Sequence, residues 1–107
     1  MTEPTSQTRT LVIRNKLGMH ARAAVKFVQA AGKFDVDVWV AKAPDASDPS
    51  ASTEEVNGKS IMGLLTLVAA MGTSIRLRVS GKEADAAMQA LGSLIERGFD
   101  EGVDLHA

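Results

Sequence analysis

Apolar positions recur along this chain with two periods. From Arg9 to Arg14, Leu11 and Ile13 fall on one side and Thr10 and Val12 on the other, which with the β-branched content predicts a strand. Asp35 to Lys42 alternates cleanly, with Val36, Val38 and Val40 opposite Asp35, Asp37 and Trp39. Ser74 to Gly81 repeats the pattern, with Ile75, Leu77 and Val79 inward and Arg76 and Arg78 outward. The stretch "EEVNG" before Lys59 predicts a short return strand. Helical spacing takes over from Ala21 to Ala31, where Ala23, Ala24, Phe27, Val28 and Ala31 share a face. Gly32 fits the left-handed position that ends many helices. A second helix is predicted over Ile61 to Ala70 with Gly72 as its stop, and a third over Glu83 to Arg97. The third helix carries a stripe of Ala84, Ala87, Met88, Leu91, Leu94 and Ile95, and Gly98 ends it.

The order is β-α-β-β-α-β-α. Strands with period two suit an antiparallel sheet with one face covered, and three amphipathic helices can cover it. The expectation is therefore an α+β domain of two layers. It spans residues 9–98, between a disordered polar tail at 1–8 and a poorly ordered tail at 99–107. Residues 43–53 hold two prolines and little apolar bulk, and predict an extended surface loop.

Composition narrows the function. A chain of 107 residues suits one core. No apolar run approaches the roughly 20 residues that span a bilayer. The start "MTEPTSQT" lacks the apolar stretch of a signal peptide, so a cytoplasmic location and no membrane partner are expected. Without cysteine there is no disulfide, zinc-thiolate site or thiol nucleophile. A net charge of -1 gives no global pull toward nucleic acid. Phe27, Phe34, Trp39 and Phe99 are the only aromatics, too few for an RNA-stacking platform. Charge is nonetheless uneven. No acidic residue stands between Glu3 and Asp35, an interval holding Arg9, Arg14, Lys16, Arg22, Lys26 and Lys33, whereas acids dominate from Glu83 to Asp104. A basic segment favours an anionic ligand, or is simply a solvated face.

Within that segment lies "LGMHARAA", Leu17 to Ala24. His20 precedes Ala21, at or beside a helix N-cap, where backbone N–H groups lack partners and the dipole is positive. A phosphate is stabilised there. Arg22 in the first turn opposes the dipole, so an anion is the better reason for it. A neutral ring is nucleophilic toward phosphorus. Position alone leaves two readings, a capping surface histidine and a phosphoryl site. His106 in the tail makes a poor partner for a metal site, and no local carboxylate is available to orient the ring as in a hydrolytic triad.

"NGKS", Asn57 to Ser60, ends like a phosphate-binding loop, but Thr53 stands where that loop needs glycine. Ser60 reads as the N-cap of the second helix, in an exposed turn also accessible to a kinase. Leu64, Leu67 and Val68 supply that helix's buried face. Ile61, Met62 and Leu65 spread around the rest, either as core or as an adaptable contact patch. Gly63 inside the helix points to close approach by a neighbour.

"GMHARAA" and "NGKSIMGLL", in this order on this element pattern, with "AAMGT" and the last helix, resemble the HPr family. These are histidine-containing phosphocarriers of the bacterial phosphoenolpyruvate-dependent phosphotransferase system, with a nitrogen-related branch. The resemblance implies an open-faced sandwich, a four-stranded antiparallel sheet of order 1-4-2-3 with three helices on one side. It implies that His20 is phosphorylated at Nδ1 beside Arg22, and that Ser60 is the serine phosphorylated by an ATP-dependent kinase. Met19, Ile61, Met62 and Leu65 match the apolar surface for partners. The implied partners are an enzyme I-type donor and a IIA-type acceptor. The implied protein is a monomeric carrier rather than an enzyme, without metal or cofactor. A rival reading is a regulatory binding module controlled at Ser60. Two departures stand out: Ala23 where the family usually has proline, and the longer connection over residues 43–53.

Overall fold

A computed structural model describes residues 5–44 and 54–101. Apart from Ala43 and Pro44, the connection over 43–53 lies outside the described residues, as do residues 1–4 and 102–107. The elements are β1 (Ser6–Val12), α1 (Ala21–Ala31), β2 (Val36–Lys42), β3 (Val56–Asn57), α2 (Ile61–Leu65), β4 (Ser74–Gly81) and α3 (Ala84–Glu96). The strands form one antiparallel sheet of order β1-β4-β2-β3, as the resemblance implies.

Register follows the alternation. Leu11 pairs with Ile75, and Val38 and Val40 pair with Val79 and Leu77, so all of these face the helices. Phe27 of α1, Leu64 of α2, and Met88, Leu91 and Ile95 of α3 close over them, each buried. On the open face Arg78 lies over the Trp39 ring, 5.6 Å from its centroid, and forks onto Glu55 at 2.7 and 2.8 Å. That bond, ahead of the opposing effect of burial, holds the Glu55 carboxyl below its ordinary range.

Several boundaries differ from expectation. The first strand starts at Ser6, because Ser6, Gln7 and Thr8 pair with Ser80, Val79 and Arg78. Backbone pairing, which apolar spacing does not register, draws part of the expected tail into the sheet. The second helix ends at Leu65 rather than Ala70. The Thr66 hydroxyl donates to the Gly63 carbonyl at 2.6 Å, and Val68 turns to a positive φ of 51°. The redirected chain presents the Ala69 carbonyl to the Met19 N–H at 2.8 Å. Val68 is consequently 75% exposed, against the expectation that it helps form the buried face. Gly72 stops no helix; it leads into β4 and donates its N–H to the Ile13 carbonyl at 2.8 Å. Gly32 is right-handed, at φ -67°, since the chain leaves α1 through successive tight turns at Lys33 and Phe34. Gly63 meets the close approach expected: a Cβ there would lie 3.3 Å from the Asn57 carbonyl oxygen.

The largest correction is at the C-terminal end. The Gly98 N–H donates to Ile95 at 3.0 Å and the Phe99 N–H to Leu94 at 2.9 Å, the paired bonds of a Schellman cap. Phe99, expected in a loose tail, is fully buried, a contribution of about 1.5–3 kcal/mol. Lys26 of α1 donates to the Phe99 carbonyl at 2.8 Å. The turn through Glu101 is thereby packed against the N-terminal half of the domain.

Candidate functional site

The site is built on the turn between β1 and α1. Gly18 adopts φ +69°, and a Cβ on it would stand 2.4 Å from the Ala69 carbonyl oxygen, so conformation and space both exclude a side chain. Asn15 is fully buried beneath the turn, and its Nδ2 donates to the Gly18 carbonyl at 2.7 Å. With Met19 tied to Ala69, the chain enters α1 in a fixed direction.

His20 is the N-cap of α1, with extended backbone at φ -83° and ψ 179°. Its carbonyl accepts the first helical bond, from the Ala24 N–H at 2.9 Å. Its Nδ1 accepts the Arg22 N–H at 3.3 Å, so the ring caps the helix with a nitrogen lone pair. Capping and phosphoryl chemistry are thus not exclusive, since one geometry serves both.

The other ring nitrogen meets a residue that the sequence reading missed. His20 Nε2 contacts Glu101 Oε2, and Glu101 Oε1 accepts from Asn15 Nδ2 at 2.9 Å. The His20 and Glu101 side chains are only 22% and 15% exposed. Burial alone would raise the Glu101 pKa. Hydrogen bonds from Asn15 and the His20 ring, with the positive charge of Arg22, outweigh it and hold the carboxyl below its ordinary range. A carboxylate does orient the ring, although none occurs in the flanking sequence. The available signal was Gly98 followed by Phe99, a glycine cap with an apolar residue to bury.

The other predicted residues are distributed as follows. Arg22 is exposed on the first turn and forms no ion pair among the described residues. Of the remaining basic residues, Arg9 lies 3.7 Å from Glu96 and Lys26 is engaged with Phe99. Ser60 is the N-cap of α2, its Oγ accepting the Gly63 N–H at 3.0 Å. The neighbouring Gly58 is explained by packing: a Cβ on it would lie 2.4 Å from Val38 Cγ1. Met62 is 72% and Ile61 36% exposed, while Leu65 is half-buried against the core. Met19 departs from its expected place on the contact surface, being buried at 4% exposure. The turn that ties it to Ala69 directs its side chain into the core, and Leu17 beside it is exposed instead.

Comparison with known proteins agrees with this geometry. A family model described as "PTS HPr component phosphorylation site" matches residues 7–97. The chain is 47% identical over 94 residues to a phosphocarrier protein HPr of Pseudomonas putida, covering 88% of this chain and 96% of that one. It is 36% identical over 97 residues to a phosphocarrier protein NPr of Shewanella violacea, covering 91% and 97%. Among solved structures it resembles an HPr from Thermoanaerobacter tengcongensis, with a TM-score of 0.74 and 38% identity over 89% of this chain and 97% of that one.

Proposed function

The chain belongs to the HPr family of phosphocarriers of the phosphotransferase system, and we propose that His20 is the residue on which it carries the phosphoryl group. The observation that supports this most directly is the aim of Nδ1 at the open first turn of α1, where it accepts the Arg22 N–H. The N–H groups of Ala21 and Ala23 precede the first helical bond and can meet phosphoryl oxygens, as can the Arg22 N–H once Nδ1 has given its lone pair to phosphorus. The exposed Arg22 guanidinium adds charge that can fork onto the same oxygens.

In transfer, the Nδ1 lone pair bonds to the phosphorus of a phosphohistidine on an enzyme I-type donor. The donor's N–P bond breaks, and its imidazole leaves with that electron pair. The reverse exchange passes the group to a histidine of a IIA-type acceptor. The protein returns to its starting state in each cycle, which makes it a carrier rather than an enzyme. Neither step calls for a metal or cofactor. Ile61 and Met62, with Leu65 behind them, offer such partners an apolar docking surface. A kinase acting on Ser60 would add a charge of about -1.5 to -2 beside that surface and disfavour docking.

Incubation with enzyme I and phosphoenolpyruvate tests the reading. The expected result is an acid-labile mass increase of one phosphoryl group, absent from His20→Ala. An unlabelled wild type, or equal labelling of His20→Ala, would overturn it. Ser60→Asp is expected to slow the transfer while leaving the labelled atom unchanged.

A further inference from the structure

We propose that Glu101, on the turn after α3, is a positioning residue for His20: its carboxylate holds the imidazole in the Nε2–H tautomer, so that Nδ1 keeps the lone pair that takes the phosphoryl group. The proposal rests on the carrier function above.

The hydrogen-bond partners assign the tautomer. Nδ1 faces a donor, the Arg22 N–H, and therefore carries no hydrogen. Nε2 faces Glu101 Oε2, which as a carboxylate can only accept, and therefore carries the hydrogen. Glu101 thus selects from the Nε2 side the same tautomer that the longer, 3.3 Å bond from the Arg22 N–H favours from the Nδ1 side. The wrong tautomer would place an N–H against the Arg22 N–H and leave no lone pair facing the helix terminus.

Glu101 is itself held from two directions. Asn15 Nδ2 donates both to Glu101 Oε1 and to the Gly18 carbonyl. Rotating that amide by half a turn would set its oxygen against two acceptors, so its orientation is fixed. The consequence is a fully buried Asn15 Oδ1 without a partner among the described residues. An orphaned acceptor costs stability, and it is tolerated here where the opposite end of the amide orders the carboxylate. From the other side, buried Phe99 and the bond from Lys26 anchor the turn that carries Glu101.

The transfer balances without moving a proton. Nδ1 forms the bond to phosphorus, the donor imidazole leaves, and Nε2 keeps its hydrogen. The resulting ring bears a positive charge, and the Glu101 carboxylate stands against that same nitrogen. One side chain thus selects the attacking atom and offsets the charge that develops.

The test pairs transfer rates from phosphorylated enzyme I with 15N NMR of the His20 ring, in the wild type, Glu101→Ala and Glu101→Gln. The wild type is expected to show the Nε2–H pattern. Glu101→Ala is expected to shift the ring nitrogens toward a tautomer mixture and to slow transfer about tenfold or more, with the remaining amide spectrum intact. Glu101→Gln retains an oxygen acceptor but no charge, so it should preserve the tautomer and lose less rate. The positioning role is overturned if wild type lacks the Nε2–H pattern. It is equally overturned if Glu101→Ala keeps the wild-type pattern and transfers within about twofold of wild type. Absence of labelling on wild-type His20 defeats the carrier reading instead, and the spectrum still reports whether Glu101 sets the tautomer.

Discussion

Substituting Gly18 by alanine probes the device that aims His20. Two costs can be worked from the structure. The backbone at φ +69° is left-handed, which an L side chain adopts at about 1–2 kcal/mol. The new Cβ would stand 2.4 Å from the Ala69 carbonyl oxygen and 2.9 Å from Ala70 Cα, both backbone atoms with no rotamer to yield. The strap carrying Ala69 must retreat, and the 2.8 Å bond to the Met19 N–H weakens or breaks, at about 0.5–1.5 kcal/mol. Together the loss is about 1.5–3.5 kcal/mol. With a slope near 2 kcal/mol/M, the urea midpoint should fall by roughly 0.8–1.8 M. The single Trp39, half-buried beside Arg78, reports the transition by fluorescence. Gly18→Asn separates the two costs, because asparagine tolerates the left-handed conformation yet keeps the Cβ. It should recover the conformational part of the loss only. A midpoint shift for Gly18→Ala below about 0.3 M would refute the reasoning.

Three further outcomes are expected. Phe99→Ala removes a fully buried ring and should cost about 3–5 kcal/mol in urea denaturation, whereas a residue of a loose tail would cost almost nothing. Ala23→Pro falls where the N–H precedes the first helical bond, so it should raise stability by about 0.4–1 kcal/mol, read as a higher Tm; because Ala23 is fully buried, a fall in Tm would mean the ring does not fit. Glu101 has its folded pKa depressed, so its contribution is complete above the unfolded value of about 4.3 and is lost as pH falls through the lower folded value. Urea midpoints from neutral to acid pH should therefore decline below that point in the wild type and decline less in Glu101→Gln; parallel curves would show that the carboxylate is not linked to folding.

Much of the fold was legible because its signals are local. Strand alternation at Val36, Val38 and Val40 and at Ile75, Leu77 and Val79 requires a single covered face, and the sheet has one. His20 and Ser60 were placed as helix caps from short stretches, and both side chains accept first-turn N–H groups. The second helix was overextended because its apolar residues continue past Leu65. What ends it is a hydrogen bond from Thr66 and a carbonyl required by a distant turn, neither of which leaves a periodic trace.

By itself the sequence determined the order of elements, the faces that the strands and the first and third helices bury, and the histidine and arginine set at a helix start. These are properties of neighbouring residues and of side-chain periods of 2 and about 3.6. Tertiary structure alone decided which carboxylate meets that histidine. Glu101 stands 81 positions from His20, in a stretch whose composition reads as a tail. It arrives because a glycine cap reverses the chain after α3, Phe99 buries its ring, and Asn15 offers the carboxylate a donor. Along the chain the acids and the basic segment lie apart. Packing brings one acid onto the histidine, because a contact between distant residues is encoded by the surfaces they bury and not by their spacing.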